Sequence, residues 1–112
     1  MMDKNILTEQ LTLREQYMLF LKLIGLSSKS IVNYASDIDR CSELIKDILE
    51  RDGFSSIYDI DSQDIIRHYQ QKLVTNSRFI TQNNKCNHRL SACIYNYVKF
   101  VDFLFVFSKK KK

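Results

Sequence analysis

Three groups of residues in this chain are of types that do chemistry. Cys41, Cys86 and Cys93 supply thiols, and His68 and His88 supply imidazoles. A thiol beside a histidine is the pairing of a cysteine nucleophile, but it needs a spatial adjacency that spacing alone does not provide. The cysteines are odd in number, lack paired C-x-x-C spacing and fall in or beside helical patterns. They read as buried thiols in a reducing cytosol rather than as a disulfide framework or a zinc site. The second group is the run Ser27, Ser28, Lys29 and Ser30 with Asn33 one turn on. Hydroxyls, a cation and the open N–H groups of a helix start suit a phosphate oxygen, and an exposed amide suits a base edge or a sugar. The third group, "NNKCNHRL", gathers Asn83, Asn84, Lys85, Asn87, His88 and Arg89 ahead of another apolar stripe. These amide, imidazole and guanidinium donors repeat the same chemistry. No metal-ligand spacing, phosphate loop or carboxylate pair in helical register stands out, so no cofactor or metal is expected.

Charge points the same way. The formal charge is +4, but the last four residues are lysines, and without them the basic and acidic side chains balance at 13 each. From Asp37 to Asp64 nine acids face Arg40, Lys46 and Arg51, a net −6. From Ile65 to Val101 there are six basic residues, Arg67, Lys72, Arg78, Lys85, Arg89 and Lys99, and no acid. A polyanion is the natural partner of the basic part, because phosphate contacts gain free energy by releasing counterions. A helical domain that docks acidic and basic sides against protein partners would show a similar segregation.

The elements that must position these groups are helical. The chain has 112 residues, 45% of them hydrophobic, no proline and only two glycines. That suits one domain with its own core and excludes the regularly broken pattern of a sandwich or barrel. Thr12 with Glu15 forms a capping box before Leu13, Tyr17, Phe20, Leu21 and Ile24, and Gly25 can close that helix. Ser28 is placed to cap a second helix of about 24 residues that ends at Gly53. In the connector "FSSIYDID", Phe54, Ile57 and Ile60 should tuck under the bundle. Asp61 or Ser62 caps a short third helix with Ile65, Ile66, Tyr69 and Leu73 inward. The polar stretch "TNSRFITQNNKCN" then separates it from a fourth helix, whose stripe is Leu90, Cys93, Ile94, Tyr97, Val98, Val101 and Leu104. The expectation is an all-α, compact four-helix bundle over residues 12–107, with an N-terminal extension at 1–11 and a basic tail at 108–112. The mixed polar start does not read as a signal peptide. The clean apolar run Phe103–Phe107 is far short of the roughly 20 residues that span a bilayer, so no membrane partner is expected.

The succession "YMLFLKLIGLSSKSIVNYASDI", "DSQDIIRHYQQKL" and "NHRLSACIYNYVKFV" resembles the N-terminal core-binding domain of tyrosine recombinases, the phage integrase family, over about Gln16 to Phe103. The features shared are a Gly-Leu-Ser turn, a helix opening with Ser and reaching a Tyr before an Asp pair, a D-I-x-x-Y signature, and a last helix of the form N-x-x-L-S-A. The resemblance implies a SAM-like helical domain that forms half of a clamp on double-stranded DNA. Its second and fourth helices would approach the major groove with Ser28, Lys29, Ser30 and Asn33 on one and Lys85, Asn87, His88 and Arg89 on the other. Arg78, in the basic stretch between them, joins this DNA-binding set. The family's catalytic Arg, His-x-x-Arg and nucleophilic Tyr belong to a separate C-terminal domain with no counterpart in this sequence, so a DNA-binding role without catalysis is expected, and Tyr95 and Tyr97 are not candidate nucleophiles. "SSIYDI" with the last motif is also similar to the helical N-terminal domain of some restriction endonucleases. Either way, the reading requires the starts of the second and fourth helices to present their cations and amides side by side.

Overall fold

The computed structural model describes residues 11–110, with side chains to Phe107. Apart from Leu11, the expected N-terminal extension lies outside the described residues, as do Lys111 and Lys112. Every element among the described residues is helical: α1 Leu13–Leu23, α2 Ser28–Leu44, α3 Lys46–Arg51, a 3-10 turn Ile57–Asp59, α4 Gln63–Val74, α5 Ser77–Lys85 and α6 Arg89–Lys110. The expected four helices are therefore six, and α6 runs past the boundary anticipated at residue 107.

Local chemistry explains most boundaries. Thr12 and Glu15 make the expected capping box at the start of α1. At its end Gly25 adopts φ +95°, Gly25 N–H donates to Lys22 O and Leu26 N–H donates to Leu21 O. This is the paired closure that only a residue tolerant of the left-handed region completes cheaply. Gly53 (φ +90°) ends α3 in the same manner, with Phe54 N–H on Leu49 O. The cap of α2 is Ser27 rather than Ser28, since the Ser27 hydroxyl accepts from Ser30 N–H at 3.2 Å.

Two differences from the sequence reading have physical causes. The long second helix breaks at Ile45 (φ −120°, ψ 27°). Just before the break, the buried Ser42 hydroxyl donates back to Ile38 O and accepts Ile57 N–H, both at 2.9 Å. Serine bonding back to the preceding turn bends helices, and here it also anchors the connector. The polar stretch expected to be a loop contains α5, whose start is capped by the Asn76 side chain on Phe79 N–H. Only Phe79 and Asn83 of α5 are buried, too few apolar positions to show a helical period.

The core is built from α2, α4 and α6, with α1 packed against α2 and α6. Tyr17, Tyr97 and Phe100 pack edge-on or tilted at its centre, with centroids 5.2–5.6 Å apart. The two tyrosine hydroxyls are satisfied: Tyr17 donates to Cys93 O at 2.9 Å and Tyr97 to Ile60 O at 3.0 Å. Ile57 and Ile60 are buried under the bundle as expected, and Phe54 is half-buried. Ile65, assigned inward from sequence, is 39% exposed, whereas Phe100, absent from the expected stripe, is buried. By length and composition Arg89–Phe107 could cross a membrane. Leu90, Cys93, Ile94, Tyr97, Val98, Phe100 and Val101 of that stretch are instead core residues.

Helix directions follow from the side-chain contacts. Arg14 pairs with Asp39 while Met18, Leu19 and Lys22 line a cavity with Ile31, so α1 and α2 are antiparallel. Tyr17 meets Tyr97 and Phe20 meets Phe103, so α1 and α6 are parallel. Consequently α2 runs antiparallel to α6.

Candidate nucleic-acid interface

That antiparallel arrangement corrects the expectation that two helix starts lie side by side. Arg89 opens α6, yet it meets Asp37, nine residues beyond Ser28 and about 13 Å further along the α2 axis. What the fold builds instead is a flank. Lys29, Asn33, Asp37, Arg40 and Leu44 recur every three or four residues on α2 and occupy one stripe. Arg78, Gln82 and Lys85 do the same on α5. Leu44 shares a surface depression of about 250 Å³ with Ser77, Arg78, Thr81 and Gln82, which places the two stripes next to each other. The corner Cys86–Arg89 joins the end of α5 to the middle of α2. Lys29, Arg40, Arg78, Lys85, Asn87 and His88 are exposed along this flank, and Ser30 and Asn33 are half-buried beside it.

Side-chain interactions hold the corner. Arg89 donates to Asp37 through Nε at 2.6 Å and Nη2 at 3.2 Å, a forked pair in which Asp37 is 1% exposed. The Asp37 hydrogen bond and charge, in that order, hold the guanidinium pKa above its ordinary value. The buried Asn83 side chain accepts Ser91 N–H at 3.0 Å, capping α6 from outside the helix, and lies 3.4 Å from His88 Nδ1. Asn87 (φ 55°) and His88 (φ 64°) both occupy the left-handed region that disfavours side chains. Two such residues in succession turn the chain from α5 into α6 without a glycine.

Of the sequence-predicted residues, Lys29, Ser30, Asn33, Arg78, Lys85, Asn87 and His88 lie along this one flank, whereas Ser28 falls on the side of α2 that carries Val32 and Asp39 and faces α1. Arg89 lies on the flank too, but its guanidinium is engaged by Asp37. Arg78 also lines a cavity of about 390 Å³ with Glu43, Lys46 and Asp47, so one end of the flank carries mixed charge. The charge segregation seen along the sequence is partly cancelled in space. Arg67 bonds Asp102 at 2.8 Å and Arg89 bonds Asp37, which occupies two of the six cations of the basic stretch. Arg40 was missed because it lies in the acidic stretch. Its position seven residues beyond Asn33 was the available signal.

Among the described residues no thiol is hydrogen-bonded to an imidazole. Cys41 and Cys93 are buried together in the core, and burial, then the neighbouring Cys41, pushes the Cys93 thiol well above its ordinary range. Cys86 donates to Asn83 O at 3.6 Å. Among the described residues no three His, Cys, Asp or Glu side chains are grouped to hold a metal ion. No family model, curated protein or solved structure matches this chain.

Proposed function

We propose that this chain is a double-stranded-DNA-binding module of the core-binding type, a SAM-like helical domain resembling one half of a tyrosine recombinase clamp, and that it acts without catalytic machinery of its own. The observation that carries the reading is the flank of α2 and α5. Lys29 and Arg40 are separated by about 16 Å along α2, with Asn33 between them. A major groove is about 12 Å wide, so cations at that separation can rest on the two bordering backbones while the amide faces the groove. Lys85, Asn87 and His88 extend the cationic and amide surface from the adjacent helix. The parent enzyme, recombinase or restriction endonuclease, follows from the resemblance only and would supply a catalytic domain as the partner.

The test is a fluorescence-anisotropy titration of a labelled duplex at 50 and 200 mM salt. Four phosphate contacts, by Lys29, Arg40, Arg78 and Lys85, would give a log–log slope of about −3.6 and a loss of affinity of about 10²-fold across that range. Lys29→Glu with Lys85→Glu should reduce binding further at either salt. Arg89 is unsuitable for charge reversal, because its replacement leaves Asp37 buried and unpaired. Absence of binding at 50 mM salt refutes the proposal. A protein-docking role is favoured by one observation, the exposure of Leu19 (50%), Leu23 (74%) and Val32 (57%) across α1 and α2. In that case the double reversal leaves function unchanged, and Leu23→Lys abolishes it.

A further inference from the structure

A second site lies on the acidic side, in residues that the DNA-binding reading does not use. An open cleft of about 400 Å³ is lined by Asp52, Phe54, Asp64, Ile65, His68 and Tyr69. Its two walls are built independently and then locked together. One wall is the turn after α3, where the left-handed Gly53 lets Asp52 and Phe54 flank a tight corner. The other is the first two turns of α4, where Asp64 and His68, and Ile65 and Tyr69, are i,i+4 pairs on adjacent tracks. The Tyr69 hydroxyl donates to Asp52, and the Phe54 and Tyr69 rings meet edge to face at 6.0 Å and 85°. The floor is thus apolar and aromatic, and the rim carries two carboxylates. Asp64 is exposed and makes no ion pair among the described residues. Asp52 accepts from the Tyr69 phenol and is exposed at the rim.

We infer that this cleft receives a basic side chain, lysine or arginine, presented by a peptide segment of a partner protein. A cationic side chain is amphipathic: its methylene stem covers apolar surface while its charged head stays at a wet rim. The cleft has the matching order, with the half-buried Phe54 and the exposed Ile65 for the stem, over the buried Tyr69, and Asp64 and Asp52 for the head. Aromatic faces add an attraction for the cation that an aliphatic floor lacks. An anionic ligand is opposed by both carboxylates, and a purely apolar one makes no use of them. The site is independent of the DNA flank, which lies on α2 and α5.

The experiment is an amide-resolved NMR titration of the full chain with two capped tripeptides, Gly-Arg-Gly and Gly-Leu-Gly, at matched ionic strength. The expected result is saturable shifts at Phe54 and at residues 64–69 with the arginine peptide only. Asp64→Asn should weaken that binding about three- to fivefold, the range of a solvent-exposed ion pair. Asp47→Asn, which removes an equal charge outside the cleft, should leave it unchanged. Phe54→Leu, which keeps the apolar floor but removes the ring, should weaken it with a dispersed spectrum retained. Equal shifts from both peptides, no saturable shift, or an Asp47→Asn effect as large as that of Asp64→Asn overturns the inference.

Discussion

Replacing Arg89 by methionine removes the guanidinium that neutralises Asp37 while keeping an unbranched stem of similar reach. In the wild-type chain the Asp37 side chain is 2% exposed and Arg89 38%. The carboxylate is therefore nearly dehydrated, and its compensation comes from two hydrogen bonds to a cation at the protein surface. Breaking such a pair from one side costs about 3–5 kcal/mol. The partial exposure of Arg89 lets some water reach the vacated site, so the lower end, about 3 kcal/mol, is expected. A domain of this size is stable by about 5–15 kcal/mol, so the loss is a large share of the total. In urea unfolding followed by circular dichroism at 222 nm, the midpoint should fall by about 2 M for an m-value near 1.5 kcal/mol/M. Adding Asp37→Leu to Arg89→Met should recover most of the loss, because the buried charge is then gone as well. A single-variant loss below about 1 kcal/mol would falsify the idea that Asp37 is dehydrated and place the pair among ordinary surface bridges. The double variant also assigns Arg89 its role. Unchanged duplex affinity marks it as positioning the corner, and a tenfold loss marks it as a phosphate contact.

Two further outcomes follow from the same geometry. Asn83→Ala removes the acceptor of Ser91 N–H and should cost about 1–2 kcal/mol, read as a lower melting temperature together with faster amide exchange at Ser91. An unchanged exchange rate would show that another group caps α6. Alkaline pH should unfold the domain through its buried phenols. Burial raises Tyr17, Tyr58 and Tyr97 well above the ordinary phenol value, and burial with the Asp52 hydrogen bond pushes Tyr69 up to about 12. A raised folded pKa means that these groups stabilise fully below about pH 10, and that stability is lost as pH rises above it, by up to ~1.4 kcal/mol per pH unit for each phenol. Tyrosinate absorbance at 295 nm should therefore appear together with loss of helical signal. Ionisation of all four near pH 10 with the helices intact would contradict their burial.

The sequence alone was enough for whatever depends on neighbours along the chain. Helical class, the Thr12 capping box, the glycine closures at Gly25 and Gly53, and most of the inward stripe of α6, Phe100 excepted, are i,i+3 and i,i+4 relations, and these are legible in one dimension. Helix α5 was not, because Phe79 alone marks its inner face and Asn83 is buried for its hydrogen bond rather than for its polarity. The break at Ile45 depends on Ser42 meeting Ile57, a contact across 15 positions that no local pattern contains. Tertiary structure decided the surface as well. Antiparallel packing of α2 against α6 separates their starts and sets Arg89 on Asp37, and α5 beside the end of α2 brings Arg78 next to the stripe of Lys29, Asn33 and Arg40. Charge counted along a chain says which side chains are available. Their pairing in space decides which remain to meet a partner, since an ion pair formed across helices leaves little net charge outside.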